Sequence, residues 1–235
     1  RWRIEVHKRT GESVATFIEH IGSEIILRPY QFCNLSEVVI RSTDTEQDLE
    51  RKVAIATILG TLQSTYTKFP YLRKVWEENT NEERLLGVSL TGIMDNPLTT
   101  TANPDLQGLL ERLRAVSVEV NAQWAAKLGV AVSTAITAVK PSGTVSQLVN
   151  SASGIHARHS EYYIRTVRGA YNDPLTEFMK DQGIPWEPCA HQPDTTVVFS
   201  FPQKSPAQAV LTENTTAIEQ LDTWLAYQRH WCEHK

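Results

Sequence analysis

Residues Ala131–Ser146 read AVSTAITAVKPSGTVS and join an apolar, β-branched run to a turn rich in small residues. Such a run favours extended structure, so we expect a strand over Ala131–Val139. Pro141 is expected to end this strand, because proline cannot extend a ladder of backbone hydrogen bonds. Gly143 is expected to take a positive φ in the tight turn that follows. The stretch therefore predicts a buried strand that leads directly into a sharp turn.

The turn itself carries candidate anion-binding groups. Ser142, Thr144 and Ser146 supply hydroxyl groups, and consecutive backbone N–H groups in such a turn can form an anion-binding nest. The segment Pro141–Ser146 (Pro141, Ser142, Gly143, Thr144, Val145 and Ser146) is therefore a candidate phosphate-binding loop. It is not a Walker loop, because the GxxxxGK[ST] spacing is absent. An ordinary strand-to-helix turn with local hydroxyl hydrogen bonds explains the same residues, and both interpretations stay open.

Similar short runs recur on both sides of this stretch. Each is rich in Val, Ile, Thr or Tyr and is bounded by Gly, Pro, Asn or Ser, as strands are. The further predicted strands are Glu24–Arg28, Glu37–Arg41, Leu85–Ile93, Tyr162–Val167 and Thr195–Phe201.

Helical patterns separate these strands, and most have a recognisable start or end. Strands that alternate with long helices imply parallel βα units packed as layers or as a barrel, so the predicted fold class is α/β. The predicted helices are Thr45–Tyr66 capped by Asp44 or Thr43, one from Asn103-Pro104 to Gly129, a short one from Asp173-Pro174 to Gly183, and a last one from Asn214 with Ile218, Leu221, Trp224, Leu225 and Trp231 facing inward.

The composition is that of a globular protein. The 235 residues are 41% hydrophobic and 21% charged, with a net charge of −4. These values exclude collagen-like and wholly disordered chains. There is no polybasic field for nucleic acid and no apolar run of the roughly 20 residues that span a bilayer. Arg1–Thr10 lack the apolar stretch of a signal peptide, so the expected location is the cytoplasm.

Cysteine and histidine spacing predicts neither a disulfide framework nor a metal site. The three cysteines form no CxxC pair, and Cys189 and Cys232 are expected to be small buried apolar residues. His156 and His159 are spaced by three residues but have no third ligand nearby, so a local turn explains them better than a metal. The neighbouring arginines, among them Arg158, are expected to pair with carboxylates or with a substrate anion.

Several stretches, in order and spacing, resemble the adenosylcobalamin-dependent (class II) ribonucleotide reductases, and most of all the monomeric ribonucleoside-triphosphate reductase type. The resemblance runs from Glu24 to Lys235, roughly nine-tenths of the chain. The stretches that carry it are IILRPYQFCNLSEVV at Ile25–Val39, RLLGVSLTGIMD at Arg84–Asp95, AVKPSGTVSQLVNSASGIHARHSEYYIRTVR at Ala138–Arg168 and WLAYQRHWCEHK at Trp224–Lys235.

The resemblance implies the C-terminal part of a ten-stranded α/β barrel. In this family a cysteine radical, generated with adenosylcobalamin, abstracts the ribose 3′-hydrogen, and a glutamate accepts the 3′-hydroxyl proton while water leaves C2′. A cysteine pair supplies the electrons and is later reduced by a thioredoxin-type partner. By resemblance Glu24 is the acid/base glutamate, Cys33 is one cysteine of the redox pair, and Pro141–Ser146 hold the phosphates of a ribonucleoside triphosphate substrate.

The chain departs from the family at the radical cysteine. The family pattern is asparagine–any–cysteine–any–glutamate, and with Glu24 at the glutamate position the other two positions hold Gly22 and His20. Glycine has no sulfur, so we expect this chain alone to be catalytically incomplete. Residues 1–22 are predicted to be an unassigned segment, and residues 23–235 the C-terminal part of the barrel, whose N-terminal half is missing.

The break at Gly22 coincides with the point where the flanking residues cease to resemble the family. We hypothesise a truncated, spliced or interrupted gene, because a point substitution would not also change the flanks. The alternative to an enzyme fragment is a non-catalytic, nucleotide-phosphate-binding remnant of the same fold.

Overall fold

The computed structural model describes the backbone of residues 2–6 and 13–17, and residue 25 and residues 27–234 with their side chains. Three short 3-10 helices, Ile93–Asp95, Pro97–Thr99 and Thr212–Asn214, lie among the regular elements. In chain order the strands and α-helices are β1 (Trp2–Val6), β2 (Ser13–Phe17), β3 (Asn34–Val39), α1 (Glu46–Gln63), α2 (Lys74–Glu83), β4 (Leu86–Thr91), α3 (Leu106–Leu128), α4 (Val145–Leu148), β5 (Tyr162–Ala170), α5 (Pro174–Asp181), β6 (Trp186–Pro188), β7 (Thr196–Lys204) and α6 (Ala217–His230).

A parallel sheet forms the centre of the described chain. Strands β3 and β4 pair in parallel from Asn34↔Leu86 to Val39↔Thr91, with α1 and α2 in the connection between them. The predicted strand Ala131–Val139 adds a short third strand, because Ala138 N–H donates to Val88 O at 3.0 Å and a parallel bridge joins Val88 to Thr137. The predicted parallel βα arrangement is confirmed for these three segments.

The third strand is shorter than predicted. Its ladder hydrogen bonds begin at Ala135, whose carbonyl oxygen accepts from Leu86 N–H at 3.0 Å. Just before it, Ser133 N–H donates to the Asn121 side chain at 2.9 Å, which takes a donor away from the ladder. Val132 is half exposed, so its apolar side chain does not hold the preceding residues against the sheet.

The hydrophobic core lies between this sheet and helices α1, α3 and α6. One face of β3 and β4 supplies Val38, Leu86, Val88 and Leu90, all almost fully buried. The helices supply Leu49 and Val53 from α1, Leu106, Leu109, Leu110 and Leu113 from α3, and Tyr227 from α6, with Trp231 just after it. Burial of this many large apolar side chains is the main stabilising term of the fold.

The second sheet is antiparallel, which the βα prediction did not include. Strand β7 lies in the centre with β5 on one side and β6 on the other. The predicted strands Tyr162–Val167 and Thr195–Phe201 are present and longer than expected, pairing from Tyr162↔Lys204 to Ala170↔Thr196. Strands β1 and β2 pair antiparallel with each other, from Trp2↔Phe17 to Val6↔Ser13.

The predicted strand Glu24–Arg28 is not observed at its described residues 25, 27 and 28. Contacts with α2 hold this segment instead of ladder hydrogen bonds. The Arg28 side chain forms an ion pair with Glu82, and Gln31 donates a side-chain hydrogen bond to Glu83.

Helix starts are set by side-chain caps, some of them displaced from the predicted residue. Helix α1 begins after Thr45, which forms a capping box with Asp48, and not after Asp44 or Thr43. Helix α3 begins at Leu106 and not at Pro104, because Asn103 accepts from Asp105 N–H in a local turn.

Of the other predicted helix termini, two are correct and one is displaced. Gly129 ends α3 in the left-handed region and Asp173 caps α5, both as predicted. Helix α6 is capped by Thr216 and not by Asn214.

The predicted inward face of α6 is wrong at most positions. Ile218, Leu221 and Trp224 are each more than half exposed. Tyr227 and Trp231 are fully buried in the core, where their polar atoms donate to backbone carbonyl groups, Thr99 O at 2.7 Å and Ala138 O at 2.8 Å. Periodicity alone did not indicate which apolar stripe of this helix faces the core.

Across residues 27–234, none of the helices combines the length and the apolar character that crossing a membrane requires.

Candidate functional site

The face of the parallel sheet opposite α1 and α3 carries polar side chains. Side chains alternate between the two faces of a strand, so the residues between the core positions point away from the helices. We call this side the site face; its residues on β3 and β4 are Leu35, Glu37, Val39, Gly87, Ser89 and Thr91. A Cβ at Gly87 would lie 2.6 Å from the Leu35 side chain, which confirms that these two residues share this face.

The candidate loop begins at this face. Lys140 N–H donates to Ser89 Oγ at 2.9 Å, where the third strand ends. Pro141–Ser146 therefore start at the carboxyl end of the parallel strands, the edge at which α/β proteins commonly bind ligands.

The left-handed residue of the loop is Ser142, with φ 54°, and not Gly143 as predicted. A positive φ is unfavourable for a residue with a Cβ, and such strain concentrates at functional positions. Ser142 is 2% exposed, and its Oγ is buried without a hydrogen-bond partner. A Cβ at Gly143 would have none of the described atoms within 4 Å, so this position faces open space. The loop thus presents a buried, unsatisfied hydroxyl beside an unobstructed glycine.

A neighbouring segment supports the loop from behind. Ser153 Oγ donates to Pro141 O at 2.9 Å and to Ser142 O at 3.3 Å. Gly154 has φ 53°, and a Cβ there would lie 2.6 Å from Lys140 O. This contact requires glycine and fixes the back of the loop.

A buried ion pair holds that supporting segment in place. Arg158 Nε and Nη2 donate to Asp95 Oδ1 and Oδ2, each at 2.8 Å. Arg158 also donates to Asn150 O at 3.1 Å, and Asp95 Oδ2 accepts from Ala152 N–H at 2.8 Å. Burial opposes the charge of Arg158, but the hydrogen bonds and charge of Asp95 outweigh it and raise the pKa of Arg158. The predicted pairing of Arg158 with a carboxylate is confirmed.

Strand β4 contacts the same segment directly. Thr91 Oγ1 donates to Ala152 O at 3.0 Å and accepts from Gly154 N–H at 2.9 Å. The loop is therefore held by the sheet at its start and, through Ala152–Gly154, by the sheet and the ion pair at its back.

Cys33 lies at the opposite end of the sheet. It is half-buried and directly precedes β3, whereas the loop follows the carboxyl ends of the strands. Cys33 and Val39 are six residues apart along an extended strand, which corresponds to about 20 Å at the usual rise per residue. The structure thus brings the loop residues together but places Cys33 at a distance from them. The predicted Glu24, and Gly22 and His20 beside it, lie outside the described residues.

An aromatic cluster fixes the residues before Cys33. The Phe32 ring lies 4.6 Å from the Trp76 ring and 4.9 Å from the Phe69 ring, measured between centroids. Asn79 of α2 donates to Tyr30 O at 3.2 Å. These contacts hold the chain on α2 up to the residue before the cysteine.

The other two cysteines are buried, as predicted. Backbone N–H groups of His191 and Gln192, with a smaller contribution from Arg168, hold the pKa of Cys189 below its ordinary value. Cys189 lies in the turn between β6 and β7, away from the candidate site.

The two histidines of the segment make local contacts. His156 Nδ1 lies 3.0 Å from Ser153 O, and the His159 ring packs edge-on against the Tyr163 ring.

Sequence reasoning missed several residues that build the site. Asp95, Thr91 and Ser153 gave no local signal, because their contacts with the loop region span 11 to 63 residues of chain. Glu37 was likewise not selected, although both of its carboxylate oxygens are buried on the site face without a partner.

In chemical terms Pro141–Ser146 form a turn at the edge of a sheet, and the last two of these residues begin α4. This turn offers backbone N–H groups, serine and threonine hydroxyls and no carboxylate of its own. Such a turn can bind an oxyanion.

Comparison with known proteins gives relatives of one kind. The chain is 29% identical over 209 residues to an adenosylcobalamin-dependent ribonucleoside-triphosphate reductase of Euglena gracilis, covering 89% of this chain and 28% of the relative. The protein of the same name from Lactobacillus gasseri is 28% identical over 243 residues, and that from Levilactobacillus brevis is 30% identical over 244. Each of these two matches covers 90% of this chain and 32% of the relative. No family model matches the chain.

A comparison with solved structures finds a similar fold in a protein of the same kind. The chain matches a B-12 dependent (class II) ribonucleotide reductase with a TM-score of 0.75 and 24% identity, over 90% of this chain and 33% of that one. At this identity the match shows an α/β fold in common. The chain spans about a third of the length of the curated relatives it matches. The resemblance drawn from the sequence is therefore confirmed: over nine-tenths of its length, this chain is homologous to part of the adenosylcobalamin-dependent ribonucleoside-triphosphate reductases.

Proposed function

We propose that this chain is the C-terminal part of a ribonucleotide reductase barrel and binds the phosphates of a ribonucleoside triphosphate on Pro141–Ser146. The observation that carries the proposal is Ser142, whose strained backbone and buried, unpartnered hydroxyl lie in a loop supported on two sides. A buried polar group without a partner is costly, and a bound phosphate oxygen would satisfy it.

The barrel assignment covers residues 23–235 and rests on the parallel sheet. Among the described residues, β3 pairs with β4 on one edge only, so its other edge is free to pair with a further strand. A stripe of exposed apolar side chains also follows α1, formed by Ile55, Leu59, Leu62 and, just beyond the helix, Tyr66. An open parallel edge and an exposed apolar helix face are both surfaces that a missing N-terminal half of the barrel would cover.

Within the barrel, each predicted residue has a distinct role. The backbone N–H groups and hydroxyls of the loop bind and orient the triphosphate, with no requirement for a particular base. Cys33 is one thiol of the pair that gives up two electrons as it becomes a disulfide, which a thioredoxin-type reductant then reduces. Glu24 accepts and returns the proton of the ribose 3′-hydroxyl. A cytoplasmic location agrees with a thiol that must be kept reducible.

Adenosylcobalamin, which the relatives require by name, supplies radical initiation in such an enzyme. The residues of this chain do not complete that chemistry, because the position of the radical cysteine holds Gly22. We therefore expect no turnover by this polypeptide alone. Gly22 equally favours the second candidate function, a non-catalytic remnant that retains nucleotide-phosphate binding.

Isothermal titration calorimetry of the full chain with ATP tests the phosphate loop. Gly143→Val should abolish binding, because Gly143 faces open space and a branched side chain there would occupy the phosphate position without disturbing the fold. Cys189→Ala is the control and should bind as the unsubstituted chain does. Equal ATP affinity of Gly143→Val and the unsubstituted chain would remove the assignment.

A turnover assay separates the two candidate functions. The chain with adenosylcobalamin and dithiothreitol should form no deoxynucleotide. Activity on addition of a polypeptide that supplies both the missing half of the barrel and the radical cysteine supports an enzyme fragment. Continued ATP binding without turnover in that mixture supports the remnant.

A further inference from the structure

The antiparallel sheet has one long edge that no described strand covers. Strand β5 lies at this edge, is nine residues long and contains no proline. The opposite edge is β6, which has three residues and ends in Pro188, and both features hinder the addition of a strand there. On β5, Tyr162 and Ile164 are 62% and 68% exposed, so apolar side chains accompany the open edge. Strand β5 is therefore an edge to which a further strand can be added.

The backbone groups on this edge belong to the even-numbered residues of β5. Just before the strand, Glu161 O accepts from Ser205 N–H at 2.8 Å. Just after it, Tyr171 N–H donates to Thr195 O at 3.0 Å. Both contacts place odd-numbered positions on the β7 side, so the even-numbered ones direct their N–H and C=O groups away from β7. In the described part of the chain, the N–H and C=O groups of three such residues have no hydrogen-bond partner: Ile164, Thr166 and Arg168.

The sequence of β5 is complementary to itself in antiparallel pairing. When two copies pair over the whole of Tyr162–Ala170, Thr166 lies opposite Thr166 of the second copy. Both arginines then lie opposite apolar residues of the second copy, Arg165 opposite Val167 and Arg168 opposite Ile164. This register opposes no like charges, and threonine opposite threonine is a favourable cross-strand pair.

Other registers are less favourable. Only every second residue of β5 presents its backbone groups to the open edge, so the second copy can shift only in steps of two residues. Such a step in either direction leaves two of the nine residues of each strand unpaired. In one direction it also places Arg165 opposite Arg165 of the second copy, where the two charges repel. The register with the longest overlap is therefore also free of charge repulsion.

The topology favours a second copy over the missing half of the barrel as the occupant of this edge. Among the described residues, the antiparallel sheet shares no strand pair with the parallel sheet. The proposed N-terminal half of the barrel continues the parallel sheet from the free edge of β3, so the edge of β5 stays open when that half is present.

We propose that two copies of this chain associate through the open edges of β5. Their two three-stranded sheets then form one continuous antiparallel sheet across a two-fold axis that passes beside Thr166. Each copy supplies three N–H and three C=O groups, from Ile164, Thr166 and Arg168, so six backbone hydrogen bonds join the copies.

Thr166→Cys tests this register directly. Opposite residues of a hydrogen-bonded antiparallel pair have Cα atoms about 5.5 Å apart, a separation that a disulfide spans. The full chain with this substitution should form a covalent dimer in oxidised glutathione, and mass spectrometry should locate the disulfide at position 166 of both copies. Thr195→Cys, which is exposed but lies away from the edge of β5, is the matched control and should form no such dimer. Equal cross-linking of the two variants, or none at position 166, would overturn the proposal.

Sedimentation equilibrium gives a second readout that needs no oxidant. All samples carry Leu59→Lys, so that association through the exposed face of α1 does not contribute. Thr166→Lys places two ammonium groups opposite each other and should raise the dissociation constant of the dimer about fivefold. Thr195→Lys adds the same charge away from the edge and should leave the dissociation constant unchanged. Equal effects of the two substitutions would contradict pairing through β5.

A mixture with the missing half of the barrel distinguishes the two occupants. On addition of a polypeptide that supplies that half, the cross-link at position 166 should persist, because the added strands pair with the parallel sheet. Loss of the cross-link in this mixture would assign the edge of β5 to the barrel and overturn the proposal.

Discussion

Arg158 binds Asp95 through two parallel hydrogen bonds of 2.8 Å, and both side chains are 3% exposed. This geometry is the strongest arrangement open to a guanidinium and a carboxylate. The pair joins the end of the 3-10 helix Ile93–Asp95 to the segment that supports the phosphate loop, so one contact stabilises both the fold and the site.

Asp95→Asn should lower the free energy of unfolding by about 3–5 kcal/mol, because it leaves a buried guanidinium without its counter-charge. Urea unfolding, monitored by circular dichroism, measures this loss of stability. The same variant should weaken ATP binding, since Asn150–Gly154 lose part of their anchor.

Arg112→Gln is the matched control for this pair. Arg112 bonds Asp105 at 3.0 Å and Glu46 at 3.1 Å, but on the surface, where solvent screens the charges. It should change the free energy of unfolding little. Equal destabilisation by the two variants would contradict the importance given to the buried pair.

Local sequence signals predicted those parts of the fold that local chemistry determines. Gly129 ends α3 and Asp173 caps α5 as expected, because a left-handed C-cap and an N-cap hydrogen bond involve only neighbouring residues. The turn after the third strand was predicted from its composition, and in the structure it leads into α4 at Val145. Its left-handed residue was assigned to Gly143, but contacts from Ser153, eleven residues away, fix the positive φ at Ser142.

Longer-range relationships had no signal in one sequence. Asp95 and Arg158 are 63 residues apart, and nothing near either residue identifies the other as its partner. The inward face of α6 was misassigned for a related reason: the buried Tyr227 hydroxyl donates to Thr99 O, 128 residues away, and the sequence around either residue gives no sign of this contact.

Tyr227 predicts a loss of stability at alkaline pH. Burial raises the pKa of its hydroxyl far above the ordinary value, so Tyr227 stays protonated in the folded chain. In the unfolded chain it ionises near pH 10. The contribution of Tyr227 to the free energy of unfolding is fully present below pH ~10. It is lost as the pH rises further, because ionisation then favours the unfolded state.

Tyr227→Phe should therefore show a smaller fall in unfolding free energy above pH ~10 than the unsubstituted chain. At neutral pH it should cost about 1 kcal/mol, the value of one buried hydrogen bond. Tyr71→Phe is the control, because the Tyr71 side chain is 97% exposed. Identical alkaline slopes for Tyr227→Phe and the unsubstituted chain would contradict this prediction.

Gly92 and Gly129 form a matched pair for backbone strain. Both have positive φ, 80° and 67°, so alanine at either position costs about 1–2 kcal/mol. A Cβ at Gly92 would also lie 2.4 Å from Ile40 O, whereas none of the described atoms is within 4 Å at Gly129. Gly92→Ala should therefore lower the free energy of urea unfolding clearly more than Gly129→Ala does. Equal losses of unfolding free energy would contradict the close contact between position 92 and Ile40 O.

The exposed stripe on α1 predicts self-association of the chain. Ile55 and Leu59 are 50% and 57% exposed, and apolar surface of this kind associates when nothing covers it. Leu59→Lys should lower the apparent mass in sedimentation experiments at rising protein concentration without lowering the free energy of unfolding. Gln63→Lys adds the same charge on the same helix but removes no apolar surface, so it should leave the association unchanged. Equal effects of the two substitutions would mean that net charge, and not the stripe, controls association, and would remove the stripe as support for a missing half of the barrel.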